Sequence, residues 1–283
     1  MKGKIVIVTG SNSGIGKETA LALSKKGGIV VIAVRSKEKG EAACRDIIKD
    51  VPDASLDVMV CDLASRVSIT EFVKEFTGKY SRLDVLINNA GAEFSRRGVT
   101  MDGFENSMGV NYLGPFLLSE RLHPILRQSA PSRIINLSSG LHKSGHIDFS
   151  DLQSLRKYDS MKAYSTAKLM VLMWTYDLAK RLGGTGVTVN AVMPGFVATN
   201  LGKNSGSTMQ SIMFSLVRPM QTTAKKGAET SIYLASSKEV EGITGKCFAL
   251  SKAVETSVES YDLDKQEKLR EATVKMLSLE NSI

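Results

Sequence analysis

Ile5-Val6-Ile7-Val8 runs straight into a turn that carries glycines at Gly10, Gly14 and Gly16. Four apolar residues without alternation read as a strand buried on both faces. Helical periodicity begins at Ile15 and reaches Lys26, so the glycines occupy the junction where a strand hands over to a helix. The pattern then repeats. Short β-branched runs fall at Ile5–Thr9, Ile29–Val34, Leu56–Cys61, Val85–Ile87, Ile134–Leu137, Val187–Val192 and Cys247–Leu250. Helical segments separate them at Ile15–Lys26, Lys37–Lys49, Val67–Tyr80, Asp102–Arg127, Ser160–Leu182 and Thr223–Ala235. Continuous apolar strands divided by helices require a parallel sheet covered on both faces. The expected class is α/β: a single Rossmann-type doubly wound domain around a seven-stranded parallel sheet. No repeat or linker divides residues 1–283, and Tyr261–Leu279 reads as a C-terminal helical extension, about 261–280, packed back on the body.

A chain of 283 residues with 42% hydrophobic content can bury one large core. Pro is scarce, low-complexity tracts are absent, and no apolar run is long enough to span a bilayer. Ile5–Val8 is too short for a secretory h-region, so no signal peptide is expected. Cys44, Cys61 and Cys247 lack paired spacing, which argues against a disulfide framework or a zinc site and fits a reducing cytoplasm. Net charge is +8, yet the cations come as pairs such as Lys25-Lys26, Arg96-Arg97 and Lys225-Lys226, interleaved with acids and with few aromatics. Nucleic acid is therefore not the expected partner, whereas a basic surface suits a polyanionic cofactor. No His, Cys or acid cluster has metal-ligand spacing, and no metal is expected.

In a doubly wound sheet, ligands bind at the carboxyl ends of the strands. A helix N-terminus there offers unpaired N–H groups and the positive end of a dipole, which attract phosphate. Gly10 permits the tight turn, while Gly14 and Gly16 admit a pyrophosphate and the neighbouring strand without Cβ atoms in the way. A plain structural turn is the competing reading, weakened by the turn's place between strand and helix. The second strand selects the dinucleotide. An NAD site usually ends this strand with an acid for the ribose 2′-hydroxyl. Here Ile32-Ala33-Val34 leads to Arg35-Ser36, with no acid before Glu38. A carboxylate would repel a 2′-phosphate and Arg35 would pair with it, so NADP is the expected cofactor. Lys37 is a weaker second candidate, and a solvated loop cation is the bland reading of Arg35.

Tyr164 and Lys168 stand four apart in a helical segment, hence on one face. A tyrosine is a poor base at its usual pKa of about 10. An adjacent ammonium and an oxidised nicotinamide would favour the phenolate, which is the tuning a general acid/base needs. The spacing alone is equally compatible with a surface pair.

TGSNSGIG (Thr9–Gly16), CDL (Cys61–Leu63), NNAG (Asn88–Gly91), VNYLG (Val110–Gly114), INLSS (Ile135–Ser139), YSTAK (Tyr164–Lys168) and MPGFVAT (Met193–Thr199) occur in that order. Together they resemble the short-chain dehydrogenase/reductase family over nearly the whole chain. GIGKETA, the Val34-Arg35 junction and DLQS (Asp151–Ser154) are similar to its retinol dehydrogenase and related reductase branch. The resemblance implies that Tyr164 exchanges a proton with the substrate oxygen. Lys168 would hold the nicotinamide ribose and lower the tyrosine's pKa, and Ser139 would hydrogen-bond the reacting oxygen. Ser138 would be structural, and Asn111 would anchor a proton-relay water. On the cofactor side the resemblance implies the turn residues Gly10, Ser11, Asn12, Ser13, Gly14, Ile15 and Gly16. Asp62 would bond the adenine amino group beside Leu63, with Asn89, Ala90 and Gly91 lining the cofactor. Pro194, Gly195, Val197 and Thr199 would serve the nicotinamide end, Thr199 through the carboxamide.

Pro115 stands four residues after Asn111 and has no N–H for the Asn111 carbonyl, which leaves that carbonyl to a relay water. An ordinary proline kink is the alternative. His142 and His146 follow Ser139 and read as surface-loop residues, or else as the edge of a substrate pocket, and His123 reads as structural. Leu201–Gln221, apolar and rich in methionine, reads as a substrate lid over about 200–221, or as a helix buried in the core. The implied function is NADP(H)-dependent interconversion of a lipophilic aldehyde or ketone and its alcohol, retinal/retinol-like or another carbonyl, with reduction favoured. A non-catalytic NADP-binding sensor or scaffold is the alternative, and the intact Asn111, Ser139, Tyr164 and Lys168 speak against it. Members of this branch often carry an N-terminal membrane segment, whereas this chain begins at its first strand. The expectation is a cytoplasmic protein without a transmembrane segment, whose 200–221 helix could rest on a membrane surface. Many relatives pair through their fourth and fifth helices, so a homodimer is open, although the long segment before Tyr164 and the C-terminal extension could block such pairing.

Overall fold

Branched side chains crowd a helix but fit a pleated surface, and each β-branched run forms a strand. The computed structural model describes residues 1–194 and 223–279. The strands are β1 (Ile5–Thr9), β2 (Ile29–Val34), β3 (Leu56–Val60), β4 (Val85–Asn88), β5 (Ser132–Leu137), β6 (Val187–Val192) and β7 (Cys247–Ala249). They lie parallel in the order β3-β2-β1-β4-β5-β6-β7. An eighth strand, β8 (Lys252–Val254), pairs antiparallel with β7, so the sheet is mixed rather than purely parallel. Leu250 and Ser251 cause the difference: both take positive φ (49° and 59°) and fold the chain back at once. Such residues seldom adopt that conformation, so the turn left no mark in the sequence.

Helices α1 (Gly14–Lys25), α2 (Lys37–Asp50), α3 (Arg66–Lys79), α4 (Gly114–Gln128), α5 (Ser160–Arg181), α6 (Ala224–Ser236) and α7 (Leu263–Leu277) cover the sheet. Alternate β1 residues face opposite layers. Ile5 and Ile7 join Phe72, Phe76, Leu118, Met170 and Trp174 on the α3–α4–α5 side. Val6 and Val8 join Leu23, Ile47 and Leu234 on the α1–α2–α6 side. The single helix expected over Asp102–Arg127 is broken. Glu105 accepts the N–H groups of Ser107 and Met108, which starts a turn at Asn106–Met108. A π-helical segment, Gly109–Leu113, follows, and the Gly114 N–H donates to the Gly109 carbonyl. Pro115 has no N–H, so an unbroken α register cannot pass through it. α7 packs on the body: Leu269 and Leu277 are buried, and Tyr112 Oη lies 2.7 Å from Thr273 Oγ1. Cys44, Cys61 and Cys247 are free thiols, the last two buried.

One buried acid closes the end of the sheet away from the glycine turn. Asp84 accepts from the Ile5 N–H (2.8 Å), Lys4 Nζ (2.8 Å) and Arg82 Nε (3.0 Å). Burial alone would raise its pKa, but Arg82, Lys4 and the Ile5 N–H outweigh burial and hold it below the ordinary 3.8. A folded value below the unfolded one gives stability that is present above pH 4 and lost as pH falls through the folded value. Asp84→Ala should lower the unfolding free energy by about 2–4 kcal/mol at pH 7. Urea titrations at pH 7 and pH 3 should show the gap between parent and variant narrowing at the lower pH.

Candidate active site

β1 and β4 are neighbours, yet the chain leaves them toward opposite edges of the sheet, so a crevice opens above their carboxyl ends. Thr9 Oγ1 accepts the N–H groups of Asn89 and Ala90, both at 3.0 Å. Asn89 Nδ2 donates to the Thr9 carbonyl (2.8 Å). Gly10 has φ +66°, and a Cβ there would stand 2.9 Å from the Ala90 Cα. A Cβ on Gly16 would collide with the Asn89 amide. Both glycines therefore serve the approach of β1 and β4. Gly14 (φ +56°) has nothing within 4 Å of its Cβ position and faces open space. The division is sharper than the sequence suggested, since Gly16 turns to the protein and Gly14 to open space.

Ser11 is buried and donates to the Val8 carbonyl (2.7 Å), and Ile15 is buried behind it. Asn12 is half-buried and Ser13 exposed at the rim. Ser13 is the N-cap of α1, but its side chain makes no capping bond, and no acid stands in the first turn. By contrast Ser36, Ser65, Asp159, Thr223 and Asp262 each cap their own helix. The α1 amides are thus left to an acceptor from outside, in a turn lined by Gly14. These residues fit a dinucleotide pyrophosphate.

Arg35 lies exposed just beyond β2 and pairs with no carboxylate among the described residues. Glu38, the nearest acid, accepts from Ser36 Oγ (2.7 Å), and that bond, above all, holds it below its ordinary pKa. At the end of β3, Asp62 accepts the Ala64 N–H (3.0 Å), and Leu63 is buried against Gly114.

The opposite wall carries the polar side chains. A Cβ on Gly91 would lie 2.9 Å from Asn111 Oδ1 and 3.2 Å from Lys168 Nζ. The Asn111 amide is fully engaged: Nδ2 donates to the Ala92 and Ser107 carbonyls (both 2.8 Å), and Oδ1 accepts the Ala92 N–H (3.0 Å). Lys168 is 3% exposed, and its Nζ donates to the Leu137 carbonyl at 2.9 Å. No carboxylate pairs with it among the described residues, and burial pulls its pKa down to about 8. Its Nζ stands 5.6 Å from the centre of the Tyr164 ring, one turn earlier on α5.

Burial pushes the Tyr164 pKa up to about 12, against the downward pull of a hydrogen bond with the Ser139 hydroxyl. Ser138 Oγ donates to the Lys168 carbonyl (2.8 Å), which is a structural role. His142 is a further correction. It is 0% exposed, not a surface-loop residue. Its Nδ1–H donates to the Ser139 carbonyl (2.7 Å), and its Nε2 accepts the Ser257 N–H (3.1 Å). It positions the Ser139 loop and was missed because Ser257 lies 115 residues away. His146 is exposed and pairs with Glu259 (3.0 Å). Pro194 is half-buried beyond β6, whereas Gly195, Val197, Thr199 and the 200–221 lid lie outside the described residues.

Comparison with known proteins agrees with this geometry. A family model described as short chain dehydrogenase matches residues 4–210. The chain is 42% identical over 287 residues to "Retinol dehydrogenase 13" of Homo sapiens, covering 98% of this chain and 86% of that one. It is 40% identical over 294 residues to "Retinol dehydrogenase 14" of Homo sapiens, covering 99% and 88%. Among solved structures, an uncharacterized protein from Mycobacterium Paratuberculosis superposes with a TM-score of 0.79 at 29% identity, covering 100% of this chain and 96% of that one.

A lone buried ammonium costs stability. With a folded pKa of about 8 against an ordinary 10.5, the protonated form of Lys168 costs on the order of 3 kcal/mol at pH 7. Because the folded value is the lower, this cost disappears as pH rises from 8 toward 10.5. Lys168→Met should therefore melt higher than the parent at pH 7 while losing activity. The advantage should shrink across that pH window in thermal scans.

Proposed function

The chain belongs to the short chain dehydrogenase family, and from that premise we propose that it reduces lipophilic aldehydes or ketones to alcohols with NADPH. The family binds NAD(P) and acts on alcohols and carbonyls. One observation carries the finer reading: the buried Tyr164 phenol, with the Ser139 hydroxyl as its hydrogen-bond partner, stands one helical turn from the Lys168 ammonium, which abuts Gly91.

NADPH, when bound, supplies a hydride to the carbonyl carbon. The chain's own residues do the rest. Tyr164 Oη donates its proton to the substrate oxygen, and the Ser139 hydroxyl gives that oxygen a second donor as charge develops. Both are in place before reaction, so little reorganisation is needed. Lys168, next to Gly91, holds the ribose hydroxyls, and its ammonium takes part in returning a proton to Tyr164. The Asn111 side chain is occupied, which leaves its carbonyl as the atom to hold a relay water; Pro115 has no N–H to compete for it.

The α1 amides and Gly14 receive the pyrophosphate, and Asp62 the adenine amino group. Arg35 gives the cofactor preference: an exposed guanidinium without a carboxylate partner suits a 2′-phosphate and offers nothing to a bare ribose hydroxyl. Pro194, Gly195, Val197 and Thr199 serve the nicotinamide end. The retinol dehydrogenase relatives and the apolar Leu201–Gln221 sequence support a greasy substrate.

NADPH oxidation followed over a panel of aldehydes and ketones, retinal included, tests this reading. Tyr164→Phe should lower kcat by about 10²–10⁴-fold with little change in stability. Turnover that survives this substitution would sink the mechanism. Arg35→Ala should raise KM for NADPH by about 10–100-fold and leave NADH nearly unchanged. Equal use of the two cofactors by the parent would defeat the NADP assignment.

A further inference from the structure

A short helical turn, Gly140–Ser144, follows β5 and is capped by Ser139. The Leu141 N–H donates to Ser139 Oγ (3.2 Å), so the hydroxyl keeps its own proton to give elsewhere. The Ser139 carbonyl accepts twice, from the His142 N–H (3.1 Å) and from the His142 Nδ1–H (2.7 Å). The other ring nitrogen, Nε2, accepts the Ser257 N–H at 3.1 Å. A donor at one nitrogen and an acceptor at the other fix a neutral ring in one tautomer. Burial favours the same state and draws the pKa of His142 below the ordinary 6.5.

Ser257 is a fixed post. Ser260 Oγ donates to its carbonyl (2.6 Å), and Thr256 Oγ1 lies 2.9 Å from Tyr176 Oη of α5. Tyr261 stacks on Tyr176, with ring centres 5.1 Å apart and planes at 8°. Gln266, on α7, donates through Nε2 to the Ser260 carbonyl (2.8 Å). The segment before α7 is thus bound to the helix that carries Tyr164. Between this post and the backbone of Ser139, the imidazole is a strut of fixed length.

We propose that His142 is a positioning residue through which the C-terminal segment sets the Ser139 hydroxyl against the substrate oxygen. This rests on the reading of Ser139 as a donor to that oxygen and deepens it. A donor misplaced by about 1 Å loses much of its effect on the transition state. Breaking the strut therefore lowers kcat. The glycine turn before α1, which receives the cofactor, stands on other contacts, so NADPH binding is spared.

The test uses a backbone substitution. Ser257 has φ −62°, which proline adopts without strain. Ser257→Pro removes the N–H and sets a ring carbon against Nε2 in its place. Ser257→Ala keeps the N–H and loses only a hydroxyl that has no partner among the described residues. NADPH oxidation is followed for the parent, these two variants, His142→Ala and the double variant His142→Ala/Ser257→Pro, and NADPH binding is titrated separately by fluorescence. His142→Ala and Ser257→Pro should each lower kcat by about tenfold or more, with KM and Kd for NADPH unchanged. Ser257→Ala should match the parent. The double variant should be no slower than His142→Ala, because both changes break one strut. Parental kcat in His142→Ala or Ser257→Pro would overturn the proposal. So would a double variant whose loss is the product of the two, an equal loss in Ser257→Ala, or a loss that NADPH binding shares. Should one single variant fail to fold, the other decides by its kcat. If no carbonyl compound is turned over, or if Tyr164→Phe keeps turnover, the proposed reaction fails instead. His142 is then judged by amide hydrogen exchange. The Leu141 N–H must exchange about tenfold faster in Ser257→Pro than in Ser257→Ala while the Asn89 N–H is unchanged, and equal exchange at Leu141 would remove the positioning role.

Discussion

With a side chain, residue 10 would place its Cβ 2.9 Å from the Ala90 Cα, closer than real Cβ atoms come. The bare backbone lets β1 and β4 end side by side, and Thr9 then bonds across the gap to Asn89 and Ala90. Everything above the sheet takes its place from that junction. It aims the amino end of α1 across the crevice, and it sets the loop at Gly91 against Lys168 and Asn111. Beneath it, Asn88 Nδ2 donates to Ser119 Oγ (3.0 Å) and Asn136 Oδ1 (2.8 Å), and Asn136 Nδ2 donates to Thr175 Oγ1 (3.0 Å). This buried chain of polar groups ties β4, β5, α4 and α5 into one platform.

On that platform burial shifts both members of the Tyr164–Lys168 pair toward their neutral forms. The phenol is pushed up to about 12 and the ammonium down to about 8. The ammonium is turned onto the Leu137 carbonyl rather than onto the phenol oxygen. The helix spacing therefore brings the two groups together without tuning the tyrosine by itself. Among the described residues that buried cation has no carboxylate partner.

The parts legible in the sequence are those with local causes. Apolar runs made strands, glycines marked the strand-to-helix turn, and the four-residue spacing put Tyr164 and Lys168 on one face of α5. What escaped depends on contacts distant in sequence, or on residues in unusual conformations. β8 exists because Leu250 and Ser251 accept positive φ. The helix expected from Asp102 starts only at Asn106 because Glu105 caps that turn, a start that hydrophobic periodicity alone ran through. His142 looked like a loop residue because Ser257, its partner, is far along the chain.

The tie from His142 to Ser257 and the contact of Tyr112 with Thr273 have a consequence for biosynthesis. The nascent polypeptide can assemble β1 to β6 and α1 to α5 from its first 192 residues. The loop that holds Ser139 waits for a segment translated much later. A ribosome-bound intermediate would thus own its nucleotide turn before it owned a finished proton donor's neighbourhood, and competence would arrive only as the final helix docks.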